Sequence, residues 1–359
     1  MMIPDATREL RSVLDAITAW AYKRPRRPVR RGHAGAACAA TPDAPTLSML
    51  TLDATQTARV LPYPELAEEI GRVLRLAAVG EVHALERATT PLPGGGTFLS
   101  MAATDADLAI AKVGSVHPLN SQRGLPTVQA VVVALDAVNG TPRAVLDGTT
   151  VTTRRTAALS LLAARHLGAR GDTTVIVGAG TQAHGHLDAM HQGLGLTRLR
   201  VYARSQAPGA ALVAKARTLG VEAELLEPTE GALLDALMDA DLLITTTNAT
   251  RYVVPPAAAP LLMPHATVLA VGAFTPTMAE LAPQVVAACD VVVDTVAGAE
   301  SEAGDLIQAA ADGAWSWDSV TELVAALNGY VREGRPVLFK SVGHSMFDLA
   351  AAELALRLS

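Results

Sequence analysis

Three cations stand where a charge is hard to keep. Lys112 lies in the apolar run "LAIAKVGSVHPLN", Arg87 in the Gly/Pro-marked "LERATTPLPGGG", and Arg155 beside Arg154 in "TTRRTAALS". An ammonium inside an apolar strand is costly unless it meets an anion. Arg155 is expected in the first turn of a helix, the end of the macrodipole that disfavours a cation. Two readings fit these residues equally well: a clamp for an anionic ligand, or solvated charges at strand edges.

A second pattern concerns phosphate. In "VIVGAGTQA" the spacing Gly178-x-Gly180-x-x-Ala183 directly follows an apolar run and opens a helical one. Gly178 permits a tight turn, Gly180 lets the backbone approach a pyrophosphate, and Ala183 allows close packing of helix on strand. Thr181 and Gln182 then sit in the first turn, where free N–H groups and the helix dipole favour an anion. A turn that merely packs would need none of the flanking βα units, and here they are all present. The next strand ends in "VYARSQ", with Arg204 and Ser205 in place of the acid that usually holds a ribose diol. A guanidinium and a hydroxyl suit a 2′-phosphate, so NADPH is expected, with NADH as the lesser possibility. His184, His186 and His191 fall nearby, but His184 and His186 do not share a helix face and no acid or thiol completes a set, so no metal is expected.

Composition limits the alternatives. The chain has 359 residues, a net charge of −6, 3% aromatic residues and two cysteines, Cys38 and Cys289. Ala, Val and Leu must do the packing, which suits helices laid over a parallel sheet. The charge gives no reason to expect nucleic acid, and no apolar run reaches the length of a membrane span. Two distant cysteines are too few for a disulfide framework, so a reducing cytoplasm is the expected compartment. Residues 1–45 differ from the rest: "YKRPRRPVRRGHAG" places six Lys/Arg within residues 23–31, among prolines. Such a segment cannot bury a core and is expected to be a disordered basic extension.

The elements follow from periodicity. Residues 61–76 read as an amphipathic helix entered through Pro64, and residues 94–147 as antiparallel strands, with Asn139-Gly140 turning a hairpin. A helix from about residue 150 stops at Gly168. Six strands and helical crossovers between residues 173 and 295 then make a doubly wound parallel sheet. Residues 320–334 read as helical, and the apolar C-terminal helix is expected to return to the first domain.

Five segments carry a resemblance: "HPLNSQRGLPTVQA", "LDGTTVTTRRTAALSLLAARHL", "VIVGAGTQAHGHL", "VGAFTPTMAEL" and "RPVLFKSVGHSMFDLAAAELA". In order and spacing they resemble the ornithine cyclodeaminase/mu-crystallin family over about residues 49–355. The resemblance implies a homodimer of α/β chains. Each has a Rossmann dinucleotide-binding domain, residues 153–317, and a discontinuous α+β substrate and dimerisation domain, residues 46–152 and 318–359. It implies that Arg87, Lys112 and Arg155 grip a substrate carboxylate. It also implies that Ser341 and Val342 close over the nicotinamide, and that Thr246, Val271 and Gly272 line the cofactor side.

Members that cyclodeaminate ornithine carry an aspartate at the position of Phe274, a lysine at that of Met278, and a further acid near Leu99. None is present. Reduction of a preformed cyclic imine needs neither acid, only a clamped carboxylate, a hydride and a proton. The segments resemble most the Δ1-pyrroline-2-carboxylate reductase branch, which implies NADPH-dependent reduction of that small cyclic imino acid and of Δ1-piperideine-2-carboxylate. Phe274 would pack on the ring. Lys112, Arg155 and Ser341 are the expected catalytic residues; Lys112, Ser341, water or, more remotely, His344 could supply the proton. The rival activities are ornithine cyclodeamination, alanine-dehydrogenase-like chemistry, and ligand storage of the mu-crystallin kind. Glu280, the one charge of "AVGAFTPTMAEL", reads as a helix-start residue.

Overall fold

A computed structural model describes residues 49–359, so the expected basic extension lies outside the described residues. The first sheet holds β1 (Leu50–Leu52), β2 (His83–Ala84), β3 (Ala88–Leu92), β4 (Gly96–Thr104), β5 (Leu108–Val116), β6 (Val128–Asp136) and β7 (Pro142–Asp147). Their order is β1-β7-β6-β5-β4-β2, with β3 sharing the outer edge of β4 with β2. All pairings are antiparallel except β1 with β7. The strand β3 was not anticipated; its Pro91 is tolerated because this is an edge.

Four helices matter to the site: α1 (Tyr63–Ala78), α2 (Gly148–His166), α3 (Thr181–Leu194) and α4 (Ser345–Leu358). α1 begins after Pro62 with Pro64 in its first turn, where a missing N–H costs nothing. α2 begins earlier than periodicity suggests, because the Asp147 carboxylate caps it by accepting the Thr150 N–H at 2.7 Å. Arg155 therefore lies two turns inside α2, and the expectation that it sits in the first turn is corrected. α4 lies over β4 and β5 and packs on α1 and α2. In the same core Leu61, Leu66, Ile70, Leu146, Leu159, Leu161 and Leu162 are fully buried. Their burial is worth roughly 10–20 kcal/mol before entropy, enough to hold buried ions whose desolvation costs several kcal/mol each.

The second sheet is wholly parallel. It comprises β8 (Thr173–Val177), β9 (Arg198–Tyr202), β10 (Glu222–Leu225), β11 (Leu242–Thr245), β12 (Thr267–Ala270), β13 (Asp290–Val293), β14 (Thr321–Glu322) and β15 (Val337–Lys340). The order is β10-β9-β8-β11-β12-β15-β13-β14. Strand order reverses between β8 and β11, and their carboxyl ends frame the crevice where doubly wound sheets bind ligands. Two strands exceed the expected six. β15 inserts between β12 and β13, and β14 occupies the outer edge, so these two pieces of the segment from residue 318 onward belong to this sheet. Of the helix expected over 320–334 only Leu323–Ala326 forms; Gly329 and Gly334 adopt positive φ and end it.

β15 also carries a charge into the core. Lys340 is fully buried, 2.8 Å from the Asp305 carboxylate and 2.6 Å from the Ala273 carbonyl that accepts from it. Asp305 in turn accepts the Glu280 and Leu281 N–H groups at 2.6 and 2.9 Å. Removing one partner would strand the other charge. Lys340→Met should lower the unfolding free energy by about 3–5 kcal/mol in urea titration; a loss below 1 kcal/mol would show that the pair is dispensable.

Candidate active site

The carboxyl end of β8 leads into the glycine turn. Gly178 has φ +110°, a region only glycine adopts easily, and a Cβ there would meet the Thr246 hydroxyl at 2.8 Å. Its N–H donates to the Tyr202 carbonyl at 2.9 Å, and the Thr246 N–H donates to the Val177 carbonyl at 2.9 Å, so β8, β9 and β11 are tied at their tips. Gly180 is the N-cap of α3 without a side-chain cap, and a Cβ on it would meet nothing. Thr181 is exposed, Ala183 is buried, and the Gln182 side-chain oxygen is buried without a partner among the described residues. An uncapped helix start, open space above Gly180 and an orphaned polar atom fit the pyrophosphate end of a dinucleotide. Arg204 and Ser205 are exposed at the tip of β9, and no described carboxylate pairs with Arg204.

The three cations meet. Lys112 points from the middle of β5 into the sheet face covered by α4, flanked in register by Met101 and Val132. Its ammonium lies 3.1 and 3.3 Å from the two oxygens of Asp348 on α4. Arg155 reaches the same carboxylate, its Nε donating to Oδ1 at 3.2 Å. Lys112, Arg155 and Asp348 are 3%, 4% and 0% exposed, which rules out solvated strand-edge charges for the first two. Burial is the main cause that brings Lys112 down to about 8; Asp348 opposes it and Arg155 and Arg87 add to it.

Arg87 occupies the break between β2 and β3. One guanidinium nitrogen donates to the Val342 carbonyl at 3.1 Å and another lies 3.2 Å from Glu302. Its Nε is buried and unpartnered among the described residues. Burial lowers the Arg87 pKa, and the same effect raises that of Glu302 against the pull of Arg87. Arg154, by contrast, turns away, stacking on Tyr63 and donating to the Leu61 carbonyl.

Val342 belongs to the turn after β15. Asp294, at the tip of β13, accepts the Ser341 hydroxyl at 2.9 Å and the Val342 and Gly343 N–H groups at 3.0 and 2.7 Å. The Ser341 N–H donates to the Ala270 carbonyl and that of Val271 to the Thr245 carbonyl. Thus Thr246, Val271, Gly272 and Ser341 all lie at one end of the parallel sheet.

Beyond Gly272 runs the loop bearing half-buried Phe274. Glu280 is not a helix start: the next helix is Pro283–Ala287, capped by Ala282. Its fully buried carboxylate accepts the Thr245 and Thr247 hydroxyls and the N–H groups of Thr247, Gly272 and Ala273. Burial raises its pKa, with Lys340 opposing. All its acceptor capacity is spent on holding the loop.

The histidines resolve into local roles. His186 is fully buried between the Gln182 carbonyl and the Ser160 hydroxyl, and burial drives its pKa to about 4. His344 caps α4 through the Met346 N–H. Among the described residues no three His, Cys, Asp or Glu side chains gather to hold a metal ion.

Asp348, Asp294 and Glu302 were missed by sequence reasoning. Asp348 left a trace, one of two acids in the apolar "SMFDLAAAELA", the other being Glu353. The other two depend on tertiary contact. Gly343 joins both groups: it has φ +83°, and a Cβ there would come within 2.6 Å of the Arg155 guanidinium. Gly343→Ala should therefore cost about 1–2 kcal/mol of stability from backbone strain and displace Arg155. Urea denaturation unchanged from the wild type would contradict that geometry.

Comparison with known proteins identifies the family. The family model described as Ornithine cyclodeaminase/mu-crystallin family matches residues 48–356. The chain is 40% identical over 304 residues to Delta(1)-pyrroline-2-carboxylate reductase 1 of Burkholderia multivorans, covering 84% of this chain and 94% of that one. It is 40% identical over 305 residues to the Delta(1)-pyrroline-2-carboxylate/Delta(1)-piperideine-2-carboxylate reductase of Azospirillum brasilense, with the same coverage. Among solved structures, Thermococcus litoralis Delta(1)-pyrroline-2-carboxylate reductase in complex with NADH and L-proline is similar at a TM-score of 0.79 and 27% identity, covering 86% of this chain and 97% of that one. With the resemblance read from its five segments, the fold and this match across nearly all described residues, the chain belongs to the ornithine cyclodeaminase/mu-crystallin family.

Proposed function

We propose that the protein reduces the cyclic ketimine Δ1-pyrroline-2-carboxylate, and its six-membered homologue Δ1-piperideine-2-carboxylate, to L-proline and L-pipecolate with NADPH. One observation carries the reading. A buried cation clamp stands at the dinucleotide end of the sheet, while the one carboxylate of the adjoining loop, Glu280, is consumed by five hydrogen bonds. Cyclodeamination needs a free base there to deprotonate an ammonium; imine reduction does not. The names of the Burkholderia and Azospirillum relatives point the same way.

Thr246, Gly272 and Ser341 would hold a reduced nicotinamide, which when bound would supply the hydride for the ring carbon that bears the carboxylate. Arg155, Lys112 and the unpartnered Nε of Arg87 orient that carboxylate. Phe274, Val342 and Leu99 offer apolar surface to the ring and exclude water. The ring nitrogen takes up a proton. Lys112 is the best-matched donor, since burial places it near 8 and so close to working pH. The Ser341 hydroxyl already donates to Asp294, which makes it a positioner of the turn.

For the cofactor, Arg204 and Ser205 at the tip of β9 support NADPH. The outer face of the first sheet, where Phe98, Ala111 and Val113 are exposed, supports a homodimer packed through that face. No helix among the described residues is long and apolar enough to cross a membrane.

NADPH oxidation with freshly generated Δ1-pyrroline-2-carboxylate should be rapid, with L-ornithine plus NAD and pyruvate plus ammonia giving little. Tight NADPH binding without turnover of the imine would favour a mu-crystallin-like binding protein. Arg155→Ala should lose at least about 100-fold in kcat/KM, as expected for a buried charged contact worth about 3 kcal/mol or more, with cofactor affinity kept. The reaction needs the Lys112 ammonium, so kcat/KM should fall as pH rises through about 8. Arg204→Ala should shift the NADPH/NADH preference toward NADH; an unchanged ratio would exclude Arg204 as the 2′-phosphate ligand.

A further inference from the structure

We infer that Asp348 is the positioning residue of the clamp, a permanent buried counter-ion that keeps the Lys112 ammonium and the Arg155 guanidinium side by side and charged before any ligand arrives. The inference rests on the carboxylate-clamp reading and deepens it.

The geometry leaves Asp348 no other task. It is fully buried on α4, its side chain makes no other hydrogen bond among the described residues, and it is shared by the two cations at 3.1–3.3 Å. Two like charges this close would repel, and burial alone would drive the lysine neutral. A carboxylate between them cancels the repulsion on one side and leaves their remaining N–H groups for an incoming anion. Arg87 has a parallel arrangement with Glu302, but that pair is partly open, at 14% and 24% exposure. The groups facing Lys112 come from three elements: Asp348 on α4, Arg155 on α2, and Arg87 between β2 and β3. Of these only Asp348 favours the ammonium. His344 and Asp294 lie in the next layer, around Arg155 and Arg87.

Asp348 also explains why the chain returns. α4 follows a strand of the dinucleotide sheet, yet packs over β4 and β5. The Ser341–Gly343 turn that joins them carries the Arg87 contact, so one segment sets the counter-ion and the nicotinamide-side turn together.

The test is the Lys112 titration read directly. The chain has four lysines, Lys23, Lys112, Lys215 and Lys340, so 13Cε-labelled lysine gives few resonances, and Lys112→Arg assigns the one of interest. In the full-length wild type Lys112 should titrate near 8. In Asp348→Asn its midpoint should fall by about 1–3 units, the effect of losing an opposite charge at contact distance. The alkaline limb of kcat/KM should move down with it, so the deficit against wild type shrinks at pH 6. A Lys112 midpoint that stays put, or an activity loss uniform across pH, would overturn the inference. Asp348→Glu covers the case in which the asparagine variant does not fold: it should hold the midpoint within about half a unit, because charge and not shape sets it, while raising KM. A midpoint displaced as far as a neutral side chain predicts would count against the inference. A wild type inert toward cyclic imines would sink the proposed reaction and leave this titration readable, so the two failures are distinguishable.

Discussion

A carboxylate buried between two cations is stable only if the surrounding fold holds all three rigidly, and the architecture around Asp348 follows from that. An isolated ion in this interior would cost several kcal/mol, and a loosely paired one little less. The aliphatic layer of α1, α2 and β7 supplies the burial energy, and β5 fixes Lys112 from both sides through Met101 and Val132. α4 delivers the anion from the far end of the chain. Under the proposed function, a ligand carboxylate would thus meet preorganised positive charge without reorganisation at the moment of binding.

The same device recurs one layer away. Asp294 gathers the Ser341–Gly343 turn, Glu280 gathers Thr245, Thr247 and Gly272, and Asp305 with Lys340 anchors the stretch between them. Each is a buried carboxylate that accepts backbone N–H groups, joined by hydroxyls at Asp294 and Glu280 and by the Lys340 ammonium at Asp305. Together they satisfy the N–H groups of irregular backbone at the sheet end. Asp294, Glu280 and Asp305 thus hold backbone at the sheet end, and Phe274 leaves the adjoining loop without a free carboxylate.

Much of this could be read in the chain. The glycine turn stood out because strand, spacing and helix obey one local mechanism, and the three cations stood out because an apolar strand seldom keeps a lysine. What stayed hidden depends on contacts distant in sequence. Asp348 lies 236 residues from Lys112, and its role appears only when α4 crosses β5. The strand β15 was not anticipated: "VLFK" ends in a lysine, and only the fold reveals the Asp305 carboxylate that pairs with it. Arg155 reads as a helix-start residue because Asp147, the true cap, lies about three residues before the helical pattern becomes visible. Glu280 was read from its local position, whereas its partners come from the tip of β11 and the loop after β12.

If the clamp is prebuilt, Asp348 stays within it when a ligand binds. A crystal structure of the protein with NADPH and L-proline tests this. The proline carboxylate is expected at about 3 Å from Lys112 and Arg155, with the Lys112–Asp348 contact intact and the ring carbon facing the nicotinamide. A proline carboxylate bound elsewhere, or a Lys112 swung away from Asp348 to reach it, would contradict a prebuilt clamp.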